Sequence, residues 1–95
     1  MYTEHFPHFP AADLPAIPAH WRDVTDASAC CPTYCASARG DGTPLVLVYV
    51  DFPCASDRYS DAEKRFGIAV YVGHPAQPYT EVYASDVWAD ILTRV

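Results

Sequence analysis

The sequence predicts an α+β fold in which an antiparallel β-meander of three to four strands packs against one C-terminal amphipathic helix. Three observations predict this class: apolar runs with strand composition, turn residues between those runs, and a C-terminal apolar stripe at helical spacing. The chain has 95 residues, a length that suits one domain. We expect a Pro-rich N-terminal arm over residues 1–19 and a single α+β domain over residues 20–95.

Prolines punctuate the N-terminal arm. Each proline fixes φ, removes a backbone donor and pushes the residue before it toward an extended conformation, which favours an irregular or polyproline-like segment. Phe6, Phe9, Leu14 and Ile17 are interleaved with the prolines and favour burial. We therefore expect the arm to lie on its own domain rather than to present a P-x-x-P ligand to another protein.

Four segments carry strand signals, and turn residues separate them in a way that is typical of antiparallel hairpins. The second segment is apolar at nearly every position, which indicates a central strand covered on both faces. The polar residues 54–65 are expected to form a loop, in which Ser60 and Glu63 can cap one helical turn. The strands are predicted at 33–38, 45–52, 66–72 and 79–84.

The C-terminal helix is predicted over residues 86–95, with Ser85 or Asp86 as the N-cap. Its apolar residues recur at three- and four-residue spacing and form one stripe that must be buried. The stripe consists of Val87, Trp88, Ile91, Leu92 and Val95.

Alternation of side chains along each strand divides the sheet into two faces. The more apolar one, here called the core face, suits the helix stripe, and in the last strand Thr80 and Val82 are expected to point toward it. The opposite one, here called the tyrosine face, is predicted to hold the candidate binding residues. These are Tyr49, Tyr71, Tyr79, Tyr83, Asp51 and Glu81.

Two interpretations of the tyrosine face stay open. In the first, the arm and Trp21 cover it. In the second, it binds another protein, because tyrosine offers a large contact area with a polar tip and is enriched among residues that dominate binding energy.

Charge narrows the class of partner. The formal net charge is −6, and the one basic cluster, Arg58 with Lys64 and Arg65, is flanked by acids. This argues against direct nucleic-acid binding and leaves room for a basic site on another protein. The sequence lacks an apolar run of ~20 residues and a signal peptide. We therefore expect a cytoplasmic protein without membrane contact, whose cysteines stay reduced.

The four cysteines are Cys30, Cys31, Cys35 and Cys54. Structural zinc usually takes two close pairs of ligands, whereas Cys54 has no close partner, so we expect small apolar cysteines and no cofactor. A cysteine-rich zinc-binding domain remains the alternative. A minor enzyme that pairs Cys35 or Cys54 with His74 is a third hypothesis, although the local sequence matches no catalytic motif.

Short motifs along residues 19–95 form a wider pattern. They read W-x-D-x-T, C-P-T-Y, V-D, R-F and S-D-V-W, and begin at Trp21, Cys31, Val50, Arg65 and Ser85. In this pattern the chain resembles a set of short phage and prophage accessory proteins, from which it departs at residues 26–28 and in its long arm. The resemblance implies no activity and no functional residue. It implies a bacterial host cell, where small acidic phage proteins, anti-CRISPR proteins among them, inhibit defence by binding a host protein.

The leading hypothesis is therefore a small non-enzymatic phage-type accessory protein. It would bind and inhibit a bacterial host protein, such as a nucleic-acid-binding defence complex, without contacting nucleic acid itself.

Overall fold

The computed structural model describes residues 1–58 and 63–95. It contains one antiparallel sheet whose strands are neighbours in chain order: β1 Arg22–Asp23, β2 Thr33–Ala38, β3 Pro44–Val50, β4 Phe66–Tyr71 and β5 Tyr79–Ser85. The predicted α+β class and meander are confirmed. The sheet has five strands rather than three to four. The additional strand, β1, was not predicted because it is only two residues long and shows no alternation pattern.

Two helices and two short 3₁₀ turns complete the described chain. Helix α1 spans Tyr2–His5 and helix α2 spans Trp88–Arg94, while the 3₁₀ turns lie at Ala11–Asp13 and Ala55–Asp57. No helix in the described ranges is long and apolar enough to cross a bilayer.

The hydrophobic core lies on the core face of β3 and β4. Val48 pairs with Ile68 and Val50 pairs with Phe66, and all four are buried. Ile91 of α2 covers them and is itself 0% exposed. The predicted seat of the helix on this face is therefore confirmed by the packing.

The N-terminal arm packs on the same face as α2. Tyr2 and Phe9 are buried and belong to the cluster that contains Val48 and Ile68, and the Phe9 and Phe52 ring centroids are 5.1 Å apart. The interpretation that the arm covers the tyrosine face is wrong. The seven residues of α2 are too few to cover the apolar surface of the core face, and the aromatic residues of the arm cover the remainder.

A half-buried carboxylate links the arm to β1 by a hydrogen bond. The carboxylate of Asp23 accepts hydrogen bonds from the backbone N–H of Tyr2 at 2.8 Å and of Thr25 at 3.0 Å. Burial disfavours the charged form, but these two hydrogen bonds outweigh it and lower the pKa of Asp23. The arm is thus held by an ionised group as well as by apolar contacts.

Helix α2 starts later than predicted. Its N-cap is Val87, which makes no side-chain capping bond, so the assignment of Ser85 or Asp86 as the N-cap is wrong. Asp86 instead accepts the Arg65 N–H at 2.9 Å. In the shorter helix only Ile91 of the stripe is fully buried, while Trp88 is half-buried. The other three stripe residues, Val87, Leu92 and Val95, are exposed.

A β-bulge changes the faces of β5. Ala69 pairs with Glu81 and Ile68 pairs with Tyr83, so Val82 is an additional residue between two paired positions. Tyr83 therefore lies on the core face, with the Arg94 guanidinium 3.9 Å from its ring centroid, and Val82 is 58% exposed. The predictions that Tyr83 lies on the tyrosine face and that Val82 points inward are both wrong, because strict alternation does not anticipate a bulge.

Arg58 links the described residues on either side of positions 59–62, between β3 and β4. Its guanidinium donates to the carbonyls of Phe52 at 2.7 Å, Glu63 at 2.8 Å and Pro53 at 3.0 Å. The predicted cap that pairs Ser60 with Glu63 falls partly on residues 59–62, which lie outside the described ranges. The guanidinium of Arg58 thus satisfies backbone carbonyls of its own segment.

Candidate functional site

The tyrosine face of the sheet carries a groove of about 950 Å³. Its floor is made by adjacent residues of β3 and β4, where Leu47 pairs with Ala69 and Tyr49 pairs with Gly67. Residues of the loop before β2, residues 63–65 and the side chains of β5 border this floor. The groove exists because both covering elements, the arm and α2, lie on the opposite face.

Tyr49 and Glu81 meet over Gly67 in the middle of the groove. A Cβ atom placed on Gly67 would lie 3.5 Å from Glu81 Oε2 and 3.8 Å from Tyr49 Cδ2. A glycine in a strand interior weakens the strand and often marks a close approach, and here it leaves space between an aromatic ring and a carboxylate. Burial first, and then the Cys31 and Cys30 thiols, raise the pKa of Tyr49, so its hydroxyl stays protonated at neutral pH.

A second carboxylate lies at the end of β3. Asp51 borders the groove although it is only 5% exposed, and its Oδ1 accepts the Phe52 N–H at 2.8 Å. Burial raises the pKa of Asp51, the hydrogen bond from Phe52 partly offsets this, and the neighbouring Glu63 raises it further. Two acids therefore lie close together at this end of the groove.

The two basic residues that border the groove are engaged elsewhere. Lys64 Nζ lies 3.5 Å from Asp86 Oδ2. The Arg65 guanidinium donates to the Asp13 carbonyl and lies 4.9 Å from the Phe66 ring centroid, on the core side. Within residues 1–58 and 63–95, none of the groove carboxylates of Asp26, Asp51, Glu63 and Glu81 forms an ion pair.

Two adjacent thiols border the acidic end of the groove. Cys30 is exposed and Cys31 is buried. A hydrogen bond from the Cys31 thiol lowers the pKa of Cys30 to about 7, while the same interaction and burial raise the pKa of Cys31. Cys30 is therefore partly ionised at neutral pH and adds to the negative charge of the groove.

The remaining cysteines do not converge on this pair. Cys35 Sγ donates to the Ser37 carbonyl at 3.3 Å, and Cys54 Sγ contacts Ser56 Oγ at 3.0 Å. All four cysteines are free thiols. Across the described residues no three His, Cys, Asp or Glu side chains are placed to hold a metal ion, so the geometry gives the zinc alternative no support.

In the part of the chain that the structure describes, no hydrogen bond joins His74 to Cys35 or Cys54. His74 Nδ1 accepts the Ala76 N–H at 3.2 Å in an exposed turn. The hydrogen bonds of Cys35 and Cys54 go to Ser37 and Ser56 instead.

The structure brings together four of the six predicted binding residues. Tyr49, Asp51, Tyr79 and Glu81 border the groove, and the Tyr79 hydroxyl donates to the Pro44 carbonyl at 2.8 Å. The other two lie apart from them: Tyr83 is on the core face, and the Tyr71 ring lies outside the groove.

Tyr71 packs against Tyr79 and Arg39. Its ring centroid is 5.5 Å from that of Tyr79, and the Arg39 guanidinium lies 5.3 Å from it. It therefore extends the tyrosine face beyond the end of the groove.

Four groove residues were not predicted from the sequence as binding residues: Cys30, Cys31, Glu63 and Gly67. The glycine carried a usable signal, since it interrupts an apolar strand. The others come from loops, whose course alternation does not predict.

Comparison of the chain with protein-family models, curated proteins and solved structures finds no match.

Proposed function

We propose that the chain is a small non-enzymatic binding protein that receives part of a partner protein in the groove of its tyrosine face. The observation that supports this most is the groove on the sheet face opposite the core, which neither the arm nor α2 covers. An antiparallel sheet commonly exposes one face, which is then mainly polar. This one instead places Leu47, Tyr49, Ala69 and Tyr79 around an open groove, a composition closer to that of a binding site.

Binding accounts for the groove better than catalysis does. The groove contains a thiol, Cys30, but no histidine borders it. The pKa of that thiol is lowered by the hydrogen bond from Cys31, but a neighbouring thiol is not the base or cation that normally activates a cysteine nucleophile.

For the partner we propose a bacterial host protein that this chain inhibits by occupying a basic site. The net charge of −6 favours association with a positively charged surface, because complementary charge speeds encounter. The phage-type setting rests on the resemblance of the motifs from Trp21 to Trp88, and anti-CRISPR inhibition is the form of host-defence inhibition that we propose to test first.

A groove-filling variant tests the proposal. Gly67→Phe places a ring in the middle of the floor, where a Cβ has ordinary van der Waals room. The control variant is Leu92→Gln, which changes an exposed residue of α2. We immobilise wild type and both variants, expose them to a bacterial lysate, and identify the captured proteins by mass spectrometry. We expect one protein captured by wild type and by Leu92→Gln but not by Gly67→Phe. Capture of the same protein by all three would contradict the proposal.

Folding of the variants is checked first by thermal unfolding. If Gly67→Phe is unfolded, Tyr49→Ala replaces it, because that change removes groove surface without adding volume. Retention of the captured protein by folded Tyr49→Ala would count equally against the groove.

A further inference from the structure

The groove has an excess of negative charge. Four carboxylates border it, and none forms an ion pair with a Lys or Arg, all of which the structure describes. Arg58 is near enough to lower the pKa of Asp51, but its guanidinium donates to backbone carbonyls and lies 3.8 Å from Asp86 Oδ1. The ionised form of Asp51 costs the most folding free energy of the four, because Asp51 is only 5% exposed. A buried charge is disfavoured unless it is paired, and Glu63 beside Asp51 carries charge of the same sign.

An aromatic ring lies between the two acidic positions. Tyr49 is adjacent to Glu81 across the space above Gly67, and it lies close enough to the Cys30 and Cys31 thiols at the other end for them to raise its pKa. A ring face bordered by carboxylates is an environment that attracts a cation, by the ring quadrupole and by direct charge attraction.

We propose that the groove binds an arginine side chain of the partner, with its guanidinium over Tyr49 and paired with Glu81 or with Asp51 and Glu63. The inference rests on the proposed function and adds the chemistry of the residue that is recognised. The negative charge of the groove is complementary to that of the guanidinium.

Arginine fits this arrangement better than lysine. Its planar guanidinium stacks on an aromatic ring and pairs with a carboxylate through two parallel hydrogen bonds. It is also more weakly hydrated than an ammonium group, which lowers the cost of entering a half-buried site. Leu47 and Ala69 of the groove floor are only 8% and 3% exposed, so the aliphatic stem of the side chain would pack mainly on the half-buried rings of Tyr49 and Tyr79.

The test uses Nα-acetyl-arginine amide as the probe and Nα-acetyl-citrulline amide as its uncharged counterpart. Binding of each to the full chain is followed by ¹H–¹⁵N NMR. We expect saturable shifts with the arginine compound in the amides of residues 47–51, 66–69 and 81, and much smaller shifts with citrulline. Equal shifts with both compounds, or arginine shifts confined to acids outside the groove, would overturn the inference.

Two matched substitutions assign the effect to the groove. Glu81→Gln removes a groove charge, whereas Glu4→Gln makes the same change on the arm, where the side chain is 71% exposed. Loss of one charge-assisted hydrogen bond weakens binding by roughly tenfold, so we expect that loss for Glu81→Gln and none for Glu4→Gln. Equal affinity of all three proteins for the arginine compound would overturn the inference.

Binding of the captured protein to the variants distinguishes a failure of arginine recognition from a failure of the proposed binding function, on which this inference rests. If the captured protein is lost with Gly67→Phe but binds Glu81→Gln and Asp51→Asn as tightly as wild type, the binding function stands and arginine recognition is refuted. If Gly67→Phe retains the captured protein, the binding function itself fails.

Discussion

At the scale of single residues, two aspartates, Asp23 and Asp51, show how the same side chain can have opposite effects on stability. Asp23 accepts two backbone hydrogen bonds, and its pKa is lowered despite burial. Asp51 accepts one hydrogen bond and has Glu63 beside it, and its pKa is raised, with burial as the largest cause. Asp23 in its ionised form therefore stabilises the fold, whereas ionised Asp51 destabilises it. An unfavourable charge retained beside a groove is typical of functional positions.

The opposite shifts predict opposite effects of neutralisation on stability. Because the pKa of Asp51 is raised on folding, its ionisation costs stability at any pH above the folded pKa, and the cost disappears below the unfolded pKa of about 3.9. Asp51→Asn, which keeps an oxygen to accept the Phe52 N–H, should raise the midpoint of thermal unfolding at pH 7. The gain over wild type should shrink to zero as the pH falls to that value.

Asp23→Asn provides the contrast. The pKa of Asp23 is lowered on folding, so its stabilisation is present above about 3.9 and is lost as the pH falls through the folded pKa. Its substitution should lower the unfolding midpoint at pH 7, and the difference from wild type should diminish in strong acid. Unfolding curves measured from pH 2 to pH 8 decide both cases, and changes of the same sign at pH 7 would contradict the account.

At the scale of elements, the sequence predicted the strands on which the groove is built but not the loops that surround it. Alternation placed Tyr49 and Asp51 on one face and Val48 on the other, and the pairing of β3 with β4 agrees. It failed in β5, where the bulge at Val82 moves Tyr83 to the core face. A bulge depends on the partner strand, and loop positions depend on contacts with residues distant in sequence, such as the hydrogen bond from the Arg65 N–H to Asp86, so neither follows from local periodicity.

Helix α2 gives a direct test of element packing. Ile91 is 0% exposed and its neighbour Leu92 is 41% exposed. Ile91→Ala should lower the free energy of unfolding by about 2–5 kcal/mol, as expected for a buried large-to-small change. Leu92→Ala should change it by no more than about 0.5 kcal/mol. Chemical denaturation measures both, and a loss for Leu92→Ala as large as that for Ile91→Ala would mean that Leu92 is buried as well.

At the scale of the whole molecule, the position of the arm determines which face is free. The sequence left open whether the arm covers the tyrosine face, since Phe6 and Phe9 suit either side. The structure places their rings 6.2 Å and 5.1 Å from that of Phe52, in the cluster shared with α2. A domain of this size has little apolar surface to spare, so the arm contributes substantially to the core.

The contribution of the arm is measurable through Phe9, which is 5% exposed. Phe9→Ala should cost about 3–5 kcal/mol, a large share of the roughly 5–15 kcal/mol that stabilises a typical domain. His8→Ala, an exposed neighbour on the same arm, should leave the free energy of unfolding within about 0.5 kcal/mol of wild type. A small effect of Phe9→Ala would mean that the arm does not belong to the core.

The most direct test of the central claim compares two tyrosines of the same face. Tyr49 lies in the floor of the groove, and Tyr71 lies beyond its end against Tyr79. With the partner captured from lysate, the dissociation constants of wild type, Tyr49→Ala and Tyr71→Ala are measured by calorimetry after each variant is shown to be folded. We predict that Tyr49→Ala weakens binding roughly thirtyfold or more, as truncation of a residue that dominates an interface does, and that Tyr71→Ala weakens it by less than about threefold. Folded Tyr49→Ala that binds the partner as tightly as wild type would contradict the claim that the groove is the binding surface.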